Sequence, residues 1–463
     1  MREDKVLKAI LAILFAATLA SCGGSSSSTT PPATKSGSVF TIGTDAPASV
    51  PSIVSFTVTV TSITVSDGTT TANLLTAPQQ VDFARFNGLR TLLDLTSVPT
   101  GTYTSATITL SPAANVGFID TSVSPPVISN VAPTITNTSV TENLATPFVV
   151  GPDDATGFFM DFDLRQSITI SNGQVMVNPV FDVKGLAADD PDREIDEFYA
   201  GVISVSQANN SFVIQGPHGR QFTVQTAANT DFEDGGSLAN LDTNTIVEVE
   251  GTIDPLTMSI DASEVELVSK DHFFVGGLIT NTSPAAPSAT TALDEYIRAE
   301  LPDLTLAPLG TISTFALSGS EIYSIANVRL PITALLFNQN SLAPGQHVAI
   351  AGSLNTQVNP PTLTVHRVVL ERQGQSGTWV PGSTQIAGGN NGRFQLNDLD
   401  LAGVLLPNPV TVITTNATDF DGLSGLSALS GTNPIPIRVI GFVLFDSGTG
   451  KAVMVARRVQ ALP

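Results

Sequence analysis

Four groups of residues have types and spacings that point to chemistry, and each needs partners elsewhere in the chain. Asp446-Ser447-Gly448 has the D-[TS]-G form in which two carboxylates share a proton, but that chemistry takes two triplets and the sequence holds one. Gly450-Lys451 does not complete a phosphate loop, because Phe445 stands where a glycine is needed and Ala452 replaces the Ser/Thr. His218, His272, His347 and His366 are scattered, with neither an H-E-x-x-H nor a paired spacing, and no G-x-S-x-G elbow is present. The acidic runs Asp189 to Glu197 and Asp231-Phe232-Glu233-Asp234-Gly235 offer oxygens to Ca²⁺, which takes about 6–8 of them. Neither has EF-hand register, and Asp419-Phe420-Asp421-Gly422 repeats the second run as a shared turn would. They read as solvated turns, with a weak Ca²⁺ site as the alternative. Asp161 and Asp163 sit two apart on a strand, and Asp45 and Asp94 lie at turns, where bonds to backbone N–H groups account for them. No catalytic, cofactor-binding or metal-ligating residue is assigned, and the chain is expected not to be an enzyme.

One residue does have a defined chemistry. Arg2, Lys5 and Lys8 precede an apolar run from Ala9 to Ala20, which leads into Leu19-Ala20-Ser21-Cys22-Gly23. This resembles the lipobox of bacterial lipoprotein signal peptides, in which the cysteine thiol is acylated with diacylglycerol after cleavage before Cys22. A run of that length is too short to span roughly 30 Å of hydrocarbon. Cys22 is also the only cysteine, so no disulfide competes for it. The expectation is a lipid-anchored envelope protein. Gly23, rather than Asp, after the lipidated residue favours the outer membrane of a diderm cell, facing the periplasm or the surface.

The balance of charge limits the partners. Of 463 residues 42% are hydrophobic and only 13% charged, with a net charge of −21. Cleavage before Cys22 removes three cations and two anions, which leaves the mature chain at −22. Nucleic-acid binding rests on cationic contacts to phosphate, so this class is excluded. Adsorption to anionic lipid is disfavoured too, and membrane attachment falls to the acyl chains.

The elements that must carry these residues read as strands. Residues 1–22 form the signal and 23–36 a Ser/Thr/Pro tether. Within 37–186, Val54 to Val60 alternates apolar and Ser/Thr residues, Ile63-Thr64-Val65 continues to the Asp67-Gly68 turn, and Gly101 to Leu110 is a second strand. Phe158 to Ile170 and Val175 to Val183 flank a Ser171-Asn172-Gly173 hairpin turn. The pattern predicts an antiparallel β-sandwich. The stretches Phe40 to Pro47, Thr91 to Leu95, Gly101 to Thr104 and Met160 to Leu164 resemble, in order, the bacterial domain of unknown function 4382. That resemblance implies a transthyretin-like or carbohydrate-binding-like sandwich in envelope lipoproteins and brings no catalytic residues.

After an acidic linker at 187–197 the chain repeats itself. Residues 198–270 carry Thr230-Asp231-Phe232-Glu233-Asp234-Gly235, Val247-Glu248-Val249-Glu250-Gly251 and Ala262 to Leu267. The segment 373–463 carries Thr418 to Gly422, Ile437 to Gly441 and Ala456 to Val459. A degenerate copy at 271–372 has Ala334 to Phe337, His347 to Gly352 and Val365 to Leu370. The glycines Gly251, Gly352 and Gly441 stand 101 and 89 residues apart. The first copy closely resembles the domain of unknown function 5666. Each copy is expected to form a small OB-like barrel of five or six strands, bent at the glycine after the V-x-V run. One short helix is expected in the middle copy, opened by Thr291 and Asp294, faced by Leu293, Tyr296 and Ile297, and stopped by Pro302.

The whole reads as a non-catalytic, lipid-anchored envelope protein acting as a binding, structural or adhesion module, with a polysaccharide or protein as partner. Carbohydrate binding is one alternative, although Trp379, Tyr103, Tyr199, Tyr296 and Tyr323 are too dispersed to argue a stacking platform. A Ca²⁺-stabilised surface protein is another. The remaining rival, an envelope glycan hydrolase, would need carboxylates roughly 5–9.5 Å apart in a cleft.

Overall fold

The computed structural model describes residues 35–45, 53–120, 127–152, 155–171, 174–187, 190, 193–216, 221–232, 236–243, 245–254, 256–269, 272–301, 306–326, 335–359, 361–398 and 405–462. The signal segment, Cys22 and nearly all of the 23–36 tether lie outside them. Strands dominate from Ser36 onward, as the alternating patterns predict.

Two sheets form the N-terminal sandwich. One orders Phe181–Leu186, Ala155–Phe162, Ser36–Thr44 and Thr91–Pro99; the other is built on the long pair Ile53–Ser66 and Gly101–Asp120. Their inner faces bury Phe56, Phe83, Phe148, Phe158 and Phe162, with Phe56 and Phe162 edge-on at 5.3 Å. The sandwich is not wholly antiparallel, since Ser36–Thr44 pairs in parallel with Ala155–Phe162. The run from Phe158 to Ile170 is broken by a helical turn, Leu164–Ser167, whose N-cap Asp163 accepts from the Gln166 N–H. Ile168–Ser171 and Gln174–Val177 then pair as the hairpin pattern predicts.

Each later module has six core strands in one order, and the third adds an edge strand, Gln385–Gly388, beside its second core strand. In the first these are Tyr199–Ser206, Ser211–Gln215, Gln221–Gln225, Asp231–Phe232, Ile246–Asp254 and Ser259–Ser269. Strands one, two, three, six and five close a ring, and strand four lies parallel on strand six. The third module, from Gln373–Trp379 to Lys451–Ala461, repeats these pairings strand for strand. The middle module keeps the order, but its third strand, Ile312–Ala316, is bonded only to the second. Phe315 and Leu317 pack into the core there, so side chains cover a seam that backbone ladders close in the other two.

The repeated glycine does what its position predicts. The ladder between fifth and sixth strands shifts register between Glu250 and Gly251, between Ala351 and Gly352, and between Ile440 and Gly441. A Cβ at these glycines would collide with the carbonyl oxygens of Asp261, Thr364 and Val455 respectively. The threonines of the turn motif are equivalent as well. Thr230 and Thr418 each donate at 2.8 Å to a sixth-strand carbonyl, on Ala262 and Ala456.

Three expectations are corrected. Residues Ala292–Leu301 form a strand, not a helix, laddered on both sides to His272–Ser283 and Ile312–Ala316. Leu293 and Ile297 point into one core and Tyr296 into another, so the spacing that mimics a helical face is two faces of a strand buried on both sides. The one described α-helical turn is Leu164–Ser167, in the sandwich. In the middle copy, Leu335 to Phe337 is irregular and Ala334 lies outside the described residues; Ile322–Ile325 takes the place of the turn-motif strand. The 187–197 segment is not wholly linker, because Glu194–Ile195 pairs with Thr252 and Gly251 of the first barrel.

The four modules share their cores. Ser36–Pro463 forms one compact unit. Phe40, Ile42 and Leu92 of the sandwich pack with Phe212, Ile214 and Val249 of the first barrel. Tyr199 and Ile246 join the middle core together with Phe442 and Leu444 of the third barrel. Val54 and Ile119 of the sandwich join Tyr296 and Trp379.

Candidate functional site

The residues singled out from sequence mostly resolve into local structure. Asp446 accepts from the Gly448 N–H at 2.9 Å within the hairpin joining Pro436–Asp446 to Lys451–Ala461. Asp94 accepts from the backbone of Thr76 and Leu95. Asp45 accepts from the Leu164 N–H at 3.3 Å. Burial, reinforced by Asp161, pushes the Asp45 carboxyl well above the usual carboxylate range. Asp419 is exposed beside Arg458 at 3.4 Å. Asp189, Asp192, Glu233, Asp234 and His218 lie outside the described residues. The lipid-attachment residue Cys22 does too.

Sequence reasoning missed a buried cluster of acids. At the junction of the sandwich with the first and middle barrels, Glu197, Glu248 and Glu371 are all buried, with ligand oxygens within 4.8 Å of one another. Glu197 ends the acidic run expected to be a solvated turn. Its neighbour Asp196 is buried as well, bonded both ways to the Arg90 backbone. Glu248 stands in the fifth strand of the first barrel, and Glu371 follows the sixth strand of the middle one.

The surroundings order these acids. Arg85, on the 3-10 turn Phe83–Phe86 of the sandwich, holds Glu197 Oε1 through Nη2 at 2.6 Å, and the Tyr199 hydroxyl donates to the same oxygen at 3.0 Å. The guanidinium lies over the Tyr199 ring, 4.9 Å from its centroid, and that ring stacks on Phe274 of the middle barrel at 4.4 Å. Burial alone pushes the Glu197 carboxyl up, but the Arg85 guanidinium and the hydrogen bonds from Arg85 and Tyr199 outweigh this and hold it below its ordinary value. Burial, with Glu371 and Glu197 adding repulsion, pushes Glu248 well above the carboxylate range. Glu371 is pushed up to about 8 by burial and then by Glu197. His347 is pushed down to about 4 by burial and is a neutral imidazole at physiological pH.

A cavity of about 690 Å³ borders this cluster and is lined by Asp82, Arg85, Thr91, Glu197, Tyr199 and Arg298, among others. Arg298 Nε pairs with Asp82 Oδ2 at 2.9 Å across the sandwich–middle barrel boundary. Arg372 pairs with Glu250, and Arg367 with Glu266 at 3.4 Å. Arg367 and Arg372 of the middle module thus reach acids of the first barrel.

Of the five aromatic residues considered as a sugar platform, Trp379, Tyr103 and Tyr296 are fully buried, Tyr199 is buried in the junction and Tyr323 is half-buried.

Comparison with known proteins fits the modules. Residues 37–179 match the family described as Domain of unknown function (DUF4382), and residues 200–266 match Domain of unknown function (DUF5666), in the order read from the sequence motifs. No curated protein matches the chain. Among solved structures, a chain described as drosophila Unr CSD456 is similar at 10% identity. It covers 58% of this chain and 98% of its own length, and its TM-score of 0.14 carries no argument.

Proposed function

We propose that the chain is a non-catalytic, lipid-anchored module of the bacterial cell envelope, in which a rigid β-body held at the membrane by Cys22 serves a structural, adhesive or binding role toward an envelope polymer or protein. The observation that carries the reading is the sharing of cores: each of the four modules contributes side chains to a core of another. Enzymes that work between domains use interfaces able to open, whereas continuous apolar cores favour one stiff unit. The charged groups support the same reading, since Arg85–Glu197 and Arg298–Asp82 tie modules together. The acidic balance and the lipobox-like start support placement outside the cytoplasm, with acyl chains supplying the membrane affinity.

The test is metabolic labelling with a fatty acid, followed by membrane fractionation of wild type and Cys22→Ser. Label on the wild type alone, with the variant shed into the soluble fraction, supports the reading. An unlabelled wild type, or a variant that stays on membranes, overturns it.

A further inference from the structure

The acid cluster at the junction is chemically incomplete. Among Glu197, Glu248 and Glu371, the Arg85 guanidinium pairs with a single oxygen of Glu197. Glu197 Oε2 and Glu371 Oε1 have no hydrogen-bond partner, on residues only 4% and 1% exposed. A third orphan belongs to a different residue type on a different strand. His347, 2% exposed, has Nδ1 3.2 Å from the Arg372 carbonyl oxygen, and its Nε2 has no partner. The N–H therefore belongs on Nδ1, which leaves Nε2 as a bare lone pair. Glu197 is the charge that acts most strongly on this imidazole.

With the carboxyl groups ionised, all three orphans are lone pairs, and buried acceptors without donors are costly. The two carboxylate orphans stand within the cluster, with the His347 imidazole near it, and acceptors so placed ask for a positive centre, not for an anion or an apolar ligand. Oxygens within 4.8 Å of one another can be spanned by one ion that takes its ligands at about 2.3–2.6 Å, with no movement of backbone. The adjoining cavity, lined by Arg85, Glu197 and Tyr199, leaves room for water to complete a coordination shell.

We propose that Glu197, Glu248 and Glu371 form a buried site for one hard divalent cation of the Ca²⁺ or Mn²⁺ class, which fastens the first barrel to the middle one beneath the sandwich. Carboxylate oxygens suit such ions, and an imidazole lone pair beside them is tolerated by Mn²⁺ better than by Ca²⁺. This site is separate from the turns at Asp231 and Asp419, which lie on the fourth strands of the first and third barrels.

The full chain, stripped with chelator and desalted, is melted with and without CaCl₂ or MnCl₂, and its retained metal is counted by elemental analysis. One ion per chain and a Tm raised by at least about 2 °C at saturation are expected. Glu371→Gln and Glu248→Gln should keep the wild-type far-UV spectrum and lose the response, and Asp231→Asn should retain it. The proposal is overturned if neither ion is retained nor shifts Tm, or if the response survives both glutamine variants and disappears in Asp231→Asn. Should the glutamine variants fail to fold, Tb³⁺ emission sensitised through Tyr199 decides the matter on the unaltered chain. Emission displaced by Ca²⁺ at one equivalent supports the site, and absence of sensitised emission overturns it.

Discussion

Arg85 of the sandwich and Glu197, at the entry to the first barrel, meet at 2.6 Å, with side chains only 10% and 4% exposed. Such a pair adds little net stability compared with apolar side chains of the same size, but removing one partner strands a buried charge. Arg85→Met is therefore expected to lower stability by about 3–5 kcal/mol. Adding Glu197→Gln should recover much of the loss. Denaturant unfolding of the two single variants and the double variant measures the coupling, and strictly additive losses would contradict a direct pair.

The glycines at the barrel corners make a sharper prediction, because one cause acts at three places. Alanine at Gly251, Gly352 or Gly441 places a Cβ against a partner-strand carbonyl oxygen. Each substitution should cost about 1–3 kcal/mol, the usual range for overpacking. Gly431, which has nothing within 4 Å of its Cβ position, should accept alanine within about 0.5 kcal/mol. Equal melting temperatures for Gly441→Ala and Gly431→Ala would refute the corner role.

These glycines and the strands around them were legible because the cause is local: an apolar alternation, then a residue without a Cβ. The acid cluster was not. Glu248 and Glu250 alternate with Val247 and Val249, which in a single sequence reads as an ordinary strand with a wet outer face. Only the packing of another module over that face buries Glu248, and neither composition nor period records such a neighbour. The segment Ala292–Leu301 was misread for the same reason, since Leu293, Tyr296 and Ile297 serve two different cores. A hint was present in the low charge content. In a chain with 13% charged residues, an arginine such as Arg85 between Phe83 and Phe86 has to find an acid.

Glu295 makes a pH prediction with a single cause. Its residue is fully buried, both carboxyl oxygens lack partners, and burial alone raises it well above the usual range. The folded state then keeps a proton that the unfolded chain gives up near its ordinary value of about 4.3. Stability from this group is fully present below that pH and falls as pH rises toward the folded-state value, by up to about 1.4 kcal/mol per unit. Glu295→Gln cannot ionise, so its stability relative to wild type should climb from pH 4 to pH 8. A pH-independent difference between the two would show that Glu295 ionises freely in the folded protein.

Trp379 reports on the whole body rather than on a ligand. The only tryptophan in the chain, it is fully buried among Phe394, Leu396, Leu426 and Leu429, and its Nε1 donates to Thr384 Oγ1 at 3.0 Å. Its emission should resist acrylamide quenching and stay unchanged on addition of glycan fragments. Trp379→Ala should cost about 3–5 kcal/mol through the cavity it leaves. The same core takes in Val54 and Ile119 of the sandwich and Tyr296 of the middle barrel, so the third barrel has no private core to melt alone. Thermal unfolding followed by tryptophan fluorescence and by far-UV circular dichroism should therefore give coincident transitions. A fluorescence transition well below the dichroism one would mean that the third barrel opens independently, and a single stiff body would no longer describe this protein.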